Sequence, residues 1–365
     1  MSVAFLDLRR QHASLRPELD DAIGEMLDGA RFIGGPRVEA FERELAAFCG
    51  VSASVGVSSG TDAIELSLRA LDVGAGDEVI TAANTCIPTV AGIEAAGATP
   101  VLVDVDETSF TIDPAELVGA TTARTRAILA VHLYGRCADV AAIGAFAAEH
   151  GLALVEDAAQ AHGAEHGGRR AGAHGVAAAF SFYPTKNLGA LGDAGAVVTD
   201  DSVVAEAVRE LRSFGERRGG PAIRRGSNSR LDPLQASVLS VKLRHLERWN
   251  DRRRALAALY DDGLADVLRT PSPAPPAEHV YHLYVVRSPQ RDAIAQALER
   301  RGIQTLVHYP RAVHEHPAYA SLARPGKLPR SERLAREVLS LPLYPELTDD
   351  EARAVVDAVR EACDG

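Results

Sequence analysis

Seven short apolar runs, separated by alanine-rich segments between residues 53 and 200, constrain the fold of this chain more than any other feature. SVGV (54–57), EVIT (78–81), PVLVDV (100–105), AILAV (127–131), LALVED (152–157), AAFSF (178–182) and GAVVT (195–199) read as strands. They lack the polar alternation of a half-exposed strand, so both faces of each should be covered. The intervening segments 61–71, 89–97 and 140–150 read as helices. This alternation predicts an α/β fold with a mostly parallel sheet, whose ligands bind beyond the carboxyl ends of the strands.

Beyond residue 200 the pattern changes. A helix is expected over 203–213, a polar, basic, glycine-rich loop over 214–230, and one or two long helices over 231–260. The proline-rich TPSPAPPAEH (270–279) reads as a linker. After it come a strand (281–286), a helix (289–301), a histidine-rich loop (307–319) and a last helix (348–362). The expected organisation is a large unit over 1–250, including the N-terminal segment, and a small α+β unit over 251–365. Thirty-nine basic and 50 acidic residues give −11 (39 − 50), which argues against bulk nucleic-acid binding but leaves room for a local anion pocket. No apolar run approaches the roughly 18 to 20 residues that cross a bilayer. Four scattered cysteines with no CxxC pair predict a reduced, cytoplasmic protein without structural disulfides or zinc.

Three strand ends carry the chemistry. Asp157, in VEDAAQAH (155–162), either caps a following helix or aims a carboxylate into the crevice, where it can hold a proton on a heterocyclic nitrogen, with Gln160 nearby. At VGVSSGTDAIEL (55–66), a helix starting near Gly60 or Thr61 is either a simple serine-capped start or a phosphate site made by free backbone N–H groups. Neither GxGxxG nor GxxxxGK[ST] is present there. Lys186, in SFYPTKNLGALGDAGA (181–196), lies 29 residues after Asp157 (186 − 157). Alone it reads as a snorkelling surface lysine; beside apolar strands it reads as an amine with a depressed pKa, with Ser181 as a second phosphate donor. Together the three features fit pyridoxal 5'-phosphate, which needs a lysine, a carboxylate facing its ring nitrogen, and phosphate donors.

The chain resembles the DegT/DnrJ/EryC1/StrS family of sugar aminotransferases, pyridoxal-phosphate enzymes of fold type I (aspartate aminotransferase-like). The matching stretches include IGGPRVEAFERELAAFCG, VSSGTDAIELSLRAL, NTCIPTV, VHLYGRCADV, VEDAAQAHGA, FSFYPTKNLGALGDAGAVVT, SNSRLDPLQASVL and GIQTLVHYP, spread over almost the whole length. The resemblance implies that Lys186 is the Schiff-base lysine, Asp157 the pyridinium partner and Gln160 a neighbour of the ring hydroxyl. Gly60, Thr61 and Ser181 would bind the phosphate. Asn228 would reach the phosphate of a second subunit's cofactor, which implies a homodimer with shared active sites. Tyr183, Arg230, His308, Tyr309 and His314 are the candidates for substrate contact; Arg230 and the RRGGPAIRR loop (217–225) suit a substrate pyrophosphate, the loop reading otherwise as a solvated basic stretch. Cys86 stands where the family has an aromatic residue against the ring, and Glu315–His316 depart from the family's pattern in HYPRAVHEHPAY (308–319). HEH (314–316) lacks a further ligand at metal spacing, so no metal is expected. A dehydratase branch carries histidine in place of the lysine; with Lys186 present, transamination is expected.

The implied substrates are a nucleotide-linked keto-deoxysugar, dTDP-linked and aminated at C3, and L-glutamate. The alternatives are a keto-cyclitol aminotransferase and a non-catalytic, cofactor-binding regulator.

Overall fold

In the computed structural model, which describes residues 2–217, 220–272, 278–324 and 326–364, the seven apolar runs build one sheet. Parts of the expected basic loop (218–219) and of the proline-rich linker (273–277) lie outside the described residues. The strands are β1 Ala53–Val57, β2 Glu78–Ala82, β3 Thr99–Val103, β4 Thr125–Val131, β5 Ala153–Asp157, β6 Ala177–Ser181 and β7 Gly195–Thr199. Their order is β1-β7-β6-β5-β4-β2-β3. From β3 to β6 every pairing is parallel, whereas β7 runs antiparallel to both β6 and β1.

The missing polar alternation has a direct cause. Successive side chains of a strand point to opposite faces. On β6 and β7, Ala178, Phe180, Ala196 and Val198 join one apolar core, while Ala177, Ala179 and Val197 join another on the far side. The helices are α1 Leu8–Ser14, α2 Arg16–Gly29, α3 Pro36–Cys49, α4 Gly60–Ala70, α5 Ile87–Ala95, α6 Val140–His150, α7 Ser202–Leu211, α8 Pro233–Leu243 and α9 Leu246–Leu264; α3 to α8 supply both covers, while α2 packs outside them on α8, Leu19 against Val238 and Val241. Phe41 and Leu45 of α3 pack with Phe182 and Leu239 on the first face, and α4 and α7 cover the second. Helices α1 to α3 are a finding of the structure, although Val38, Phe41, Leu45 and Cys49 of α3 do recur at helical spacing.

A second, two-stranded sheet pairs β8 Tyr284–Arg287 antiparallel with β9 Val338–Leu341. Around it lie α10 Arg291–Arg300, α11 Pro329–Glu337 and α12 Asp349–Asp364. Tyr284, Leu298, Leu341 and Val355 share a core with Tyr260 and Leu264 of α9, and with Val3. The boundary expected at residue 250 therefore falls inside α9, and the chain's start also packs on this smaller unit, with Val3 bridging Ile303. No described helix is long and apolar enough to cross a membrane.

Candidate active site

The carboxyl ends of β5 and β6 and the start of α4 converge on a cavity of about 350 Å³. Gly60, Thr61, Cys86, Asp157, Gln160, Ser181, Tyr183 and Lys186 all line it, together with Thr85 and Thr89.

Beyond β1 the chain turns through Ser58 and Ser59 into α4. The Ser59 hydroxyl caps the helix, accepting from the Asp62 N–H at 3.1 Å and donating to Asp62 Oδ1 at 2.8 Å. Gly60 and Thr61 are the first two helical residues, and their N–H groups have no acceptor within the helix. The α4 dipole adds positive potential at the same point. Ser181 Oγ accepts from the Tyr183 N–H at 3.3 Å, which leaves its own proton free to donate. Gly60 permits this convergence: a Cβ there would sit 2.5 Å from Ser181 Cβ.

Asp157 closes β5 and is 5% exposed. Its Oδ2 accepts from Thr89 Oγ1 at 2.8 Å and its Oδ1 from the Ala159 N–H at 3.2 Å. Turns follow it, not a helix, so the helix-cap reading is set aside. The neighbouring Glu156 is fully buried and anchors the strand from the other side. Burial would raise its carboxyl, but His132 and the N–H groups of Gly172 and Gly175 hold it down at about 2. Gln160 is clamped at both ends of its amide: Oε1 accepts from the Tyr134 N–H at 2.7 Å, and Nε2 donates to the Tyr309 hydroxyl at 3.0 Å. One N–H of the amide remains free.

Lys186 sits in the loop after β6. Burial lowers its pKa below that of a free lysine, while Cys86 and Asp157 partly offset the shift. The loop is gripped from outside the sheet. Asn187 Nδ2 donates to Asn250 Oδ1 at 3.0 Å and to the Val280 carbonyl at 3.1 Å. Lys242 Nζ donates to the Gly189 carbonyl at 2.8 Å, and the Leu191 N–H donates to Gln235 Oε1 at 2.8 Å. Cys86 caps α5 and is half-buried; burial pushes its thiol up, and contact with the Tyr309 hydroxyl works against that shift.

The remaining expected residues lie outside this cavity. Tyr309 reaches its edge through Gln160, and the Tyr134 hydroxyl donates to the His308 carbonyl. His308 lines an adjoining cavity of about 500 Å³ with Phe5, Thr185 and His282; burial lowers its pKa to about 4, so its ring is neutral at physiological pH. His314 points to Glu332 of α11 at 3.1 Å. Asn228 is exposed, and the Arg230 guanidinium stacks over Phe214. Between those two, Ser229 donates to Asp62 Oδ2 at 2.6 Å, tying the loop to the α4 turn. Neither Thr89 nor Ser229 stands out in the sequence, because each meets its partner only across the folded sheet.

The donor set suits pyridoxal phosphate: free N–H groups at Gly60 and Thr61 with the Ser181 hydroxyl for an anion, and a carboxylate and a desolvated amine lining the same cavity. An α/β protein with these three features is of the pyridoxal-phosphate-dependent class. The model of the DegT/DnrJ/EryC1/StrS aminotransferase family matches residues 13–360, and the chain belongs to that family. It is an aminotransferase that uses pyridoxal phosphate. It is 51% identical over 362 residues to the dTDP-3-amino-3,4,6-trideoxy-alpha-D-glucose transaminase of Streptomyces venezuelae, covering 98% of this chain and 96% of that protein. It is 50% identical over 363 residues to the erythromycin biosynthesis sensory transduction protein EryC1 of Saccharopolyspora erythraea, covering 99% of each. The crystal structure of S. venezuelae DesV in complex with a ketimine intermediate superposes with a TM-score of 0.97 at 50% identity, covering 100% of this chain and 99% of that one.

Proposed function

We propose that this chain aminates C3 of a dTDP-linked keto-deoxysugar, with L-glutamate as amino donor. The observation that carries the reading is Lys186: a buried amine, its pKa lowered by desolvation, sharing one cavity with Asp157 and with the anion-binding start of α4. The choice of a dTDP sugar and of C3 is supported by the transaminase that is 51% identical over nearly the full length.

Pyridoxal phosphate, when bound, supplies a carbonyl that condenses with amines and a ring that accepts electron density. The Gly60 and Thr61 N–H groups and the Ser181 hydroxyl hold the phosphate. Asp157 Oδ1 would hold a proton on the ring nitrogen, and the free N–H of Gln160 would be the donor offered to the ring hydroxyl. Lys186 Nζ, neutral more readily than a free lysine, takes a proton from the carbon that bears the amine and returns it. Cys86 lines the cavity where the family places an aromatic residue against the ring, and the contacts of Tyr183, Arg230, His308, Tyr309 and His314 are assigned to substrate.

We assign the working form as a cytoplasmic homodimer. Asn228 is exposed and does not line its own chain's cavity, so it is available to a second copy's phosphate. Exposed Phe32, Ile33, Phe214 and Ile223 add apolar surface for such a contact.

The test incubates the holoenzyme with L-glutamate and a panel of nucleotide-linked 3-keto and 4-keto sugars and keto-cyclitols, and identifies products by mass and NMR. A 3-amino dTDP sugar with stoichiometric 2-oxoglutarate is expected. Amination of a cyclitol alone would replace the substrate assignment, and cofactor binding without any half-reaction would favour the regulator.

A further inference from the structure

We propose that Thr89, backed by Thr85, is a positioning residue that decides which oxygen of Asp157 faces the cofactor's ring nitrogen. The inference rests on the reading of Asp157 as that nitrogen's partner. Both threonines are 2% exposed and line the cavity beside Asp157. Thr89 Oγ1 lies 2.8 Å from Asp157 Oδ2, and a carboxylate only accepts, so the Thr89 proton is committed to it. Thr85 Oγ1 lies 2.8 Å from Thr89 Oγ1. With its single proton spent, Thr89 is the acceptor in that contact, and Thr85 donates. The order is fixed by counting hydrogens: Thr85 O–H to Thr89 O–H to Asp157 Oδ2.

Each oxygen keeps one lone pair, but Oδ1 is the less committed of the two, since its own partner, the Ala159 N–H, is at 3.2 Å against 2.8 Å for Thr89 on Oδ2. A terminal carboxylate torsion is soft, so one long amide contact does not fix the plane by itself. A short hydroxyl bond to the other oxygen does, and a donor chain of two hydroxyls strengthens it. Thr89 is in the first turn of α5, and its N–H donates to the Cys86 carbonyl at 3.1 Å. The turn that presents Cys86 to the cavity therefore also orients the carboxylate.

The experiment titrates apoprotein with pyridoxamine 5'-phosphate by fluorescence and follows the bound cofactor's absorbance against pH. Thr89→Val keeps the shape and removes the donor; it should weaken binding by about tenfold or more, as for a lost hydrogen bond to a charged group. It should also move the absorbance midpoint to lower pH, because the ring proton is held less well. Thr89→Ser should restore both, and Thr85→Val should shift both in the same direction by less. Thermal melts check folding, and Thr85→Val decides the matter if Thr89→Val does not fold. Wild-type affinity and midpoint in Thr89→Val, or no recovery in Thr89→Ser, would overturn the relay. Asp157→Asn separates the two failures: if it binds as wild type, the Asp157 assignment is wrong, and if it alone is weak, only the relay is.

Discussion

Gly60→Ala is the sharpest perturbation of the proposed phosphate cup. A methyl group at Gly60 would lie 2.5 Å from Ser181 Cβ and 3.1 Å from both Ser181 Cα and Oγ. Carbon atoms do not approach closer than about 3.0 Å, so the start of α4 and the end of β6 must separate by at least about 0.5 Å (3.0 − 2.5). Neither side yields cheaply, because Ser181 Cβ is fixed to a central strand and Gly60 begins a helix packed on that strand. Overpacking of this kind costs about 1–3 kcal/mol. The same separation pulls the Gly60 and Thr61 N–H groups away from the Ser181 hydroxyl, so a phosphate is no longer met by all three donors. Titration of apoprotein with pyridoxal phosphate should give about a tenfold weaker dissociation constant, and a thermal melt should fall by a few degrees. Gly24→Ala, where a Cβ meets nothing within 4 Å, is the control and should not lower the melting temperature. Gly60→Ala combined with Ser181→Gly should regain most of the stability while remaining weak for cofactor, since the hydroxyl is gone. If Gly60→Ala bound cofactor within twofold of wild type and melted with it, the close approach would not be what seats the phosphate.

Three further outcomes are expected. Lys186→Ala should fold and bind cofactor, yet mass spectrometry after borohydride treatment should find none attached; attachment at wild-type level would place the nucleophile elsewhere. Because burial lowers the Lys186 pKa and the neutral amine is the nucleophile, the rate of cofactor capture by apoprotein should rise with pH through a midpoint below 10.5; a midpoint at or above that value would contradict the burial argument. Lys242 is fully buried, and burial lowers it to about 8, so the folded state binds fewer protons than the unfolded one. Its destabilising share is complete below about 8 and fades by 10.5, so urea titrations should show wild type gaining about 3 kcal/mol on Lys242→Met across that window; parallel curves would refute the shift.

The strands were legible because a strand covered on both faces must be apolar at every position, which makes a short run such as AILAV hard to mistake. Direction was not: GAVVT reads the same whether β7 runs parallel or antiparallel, and only the order of the folded sheet turns it round. Helix α11 and strand β9 were missed because SERLARE is charged on most of its faces and the following VLSL is too short to stand out from LPLYP. At the site, residues next to a strand end or a glycine turn were readable, namely Asp157, Ser181, Lys186, Gly60 and Thr61. Their supports were not. Thr89 meets Asp157 across 68 residues and Asn250 meets Asn187 across 63, and no local pattern records such pairings.

The grip on the lysine loop separates holding from moving. Lys242, Gln235 and Asn250 fasten the loop at Gly189, Leu191 and Asn187, and the hydrogen bonds of the described residues leave Lys186 Nζ itself unengaged. On the role proposed for Lys186, that amine must move towards its reacting carbon and away from it. With the backbone fastened on both helices, that travel is confined to the rotations of four methylene groups, like a short arm on a fixed axle. Motion of the amine then needs no rearrangement of the loop backbone that these bonds fasten.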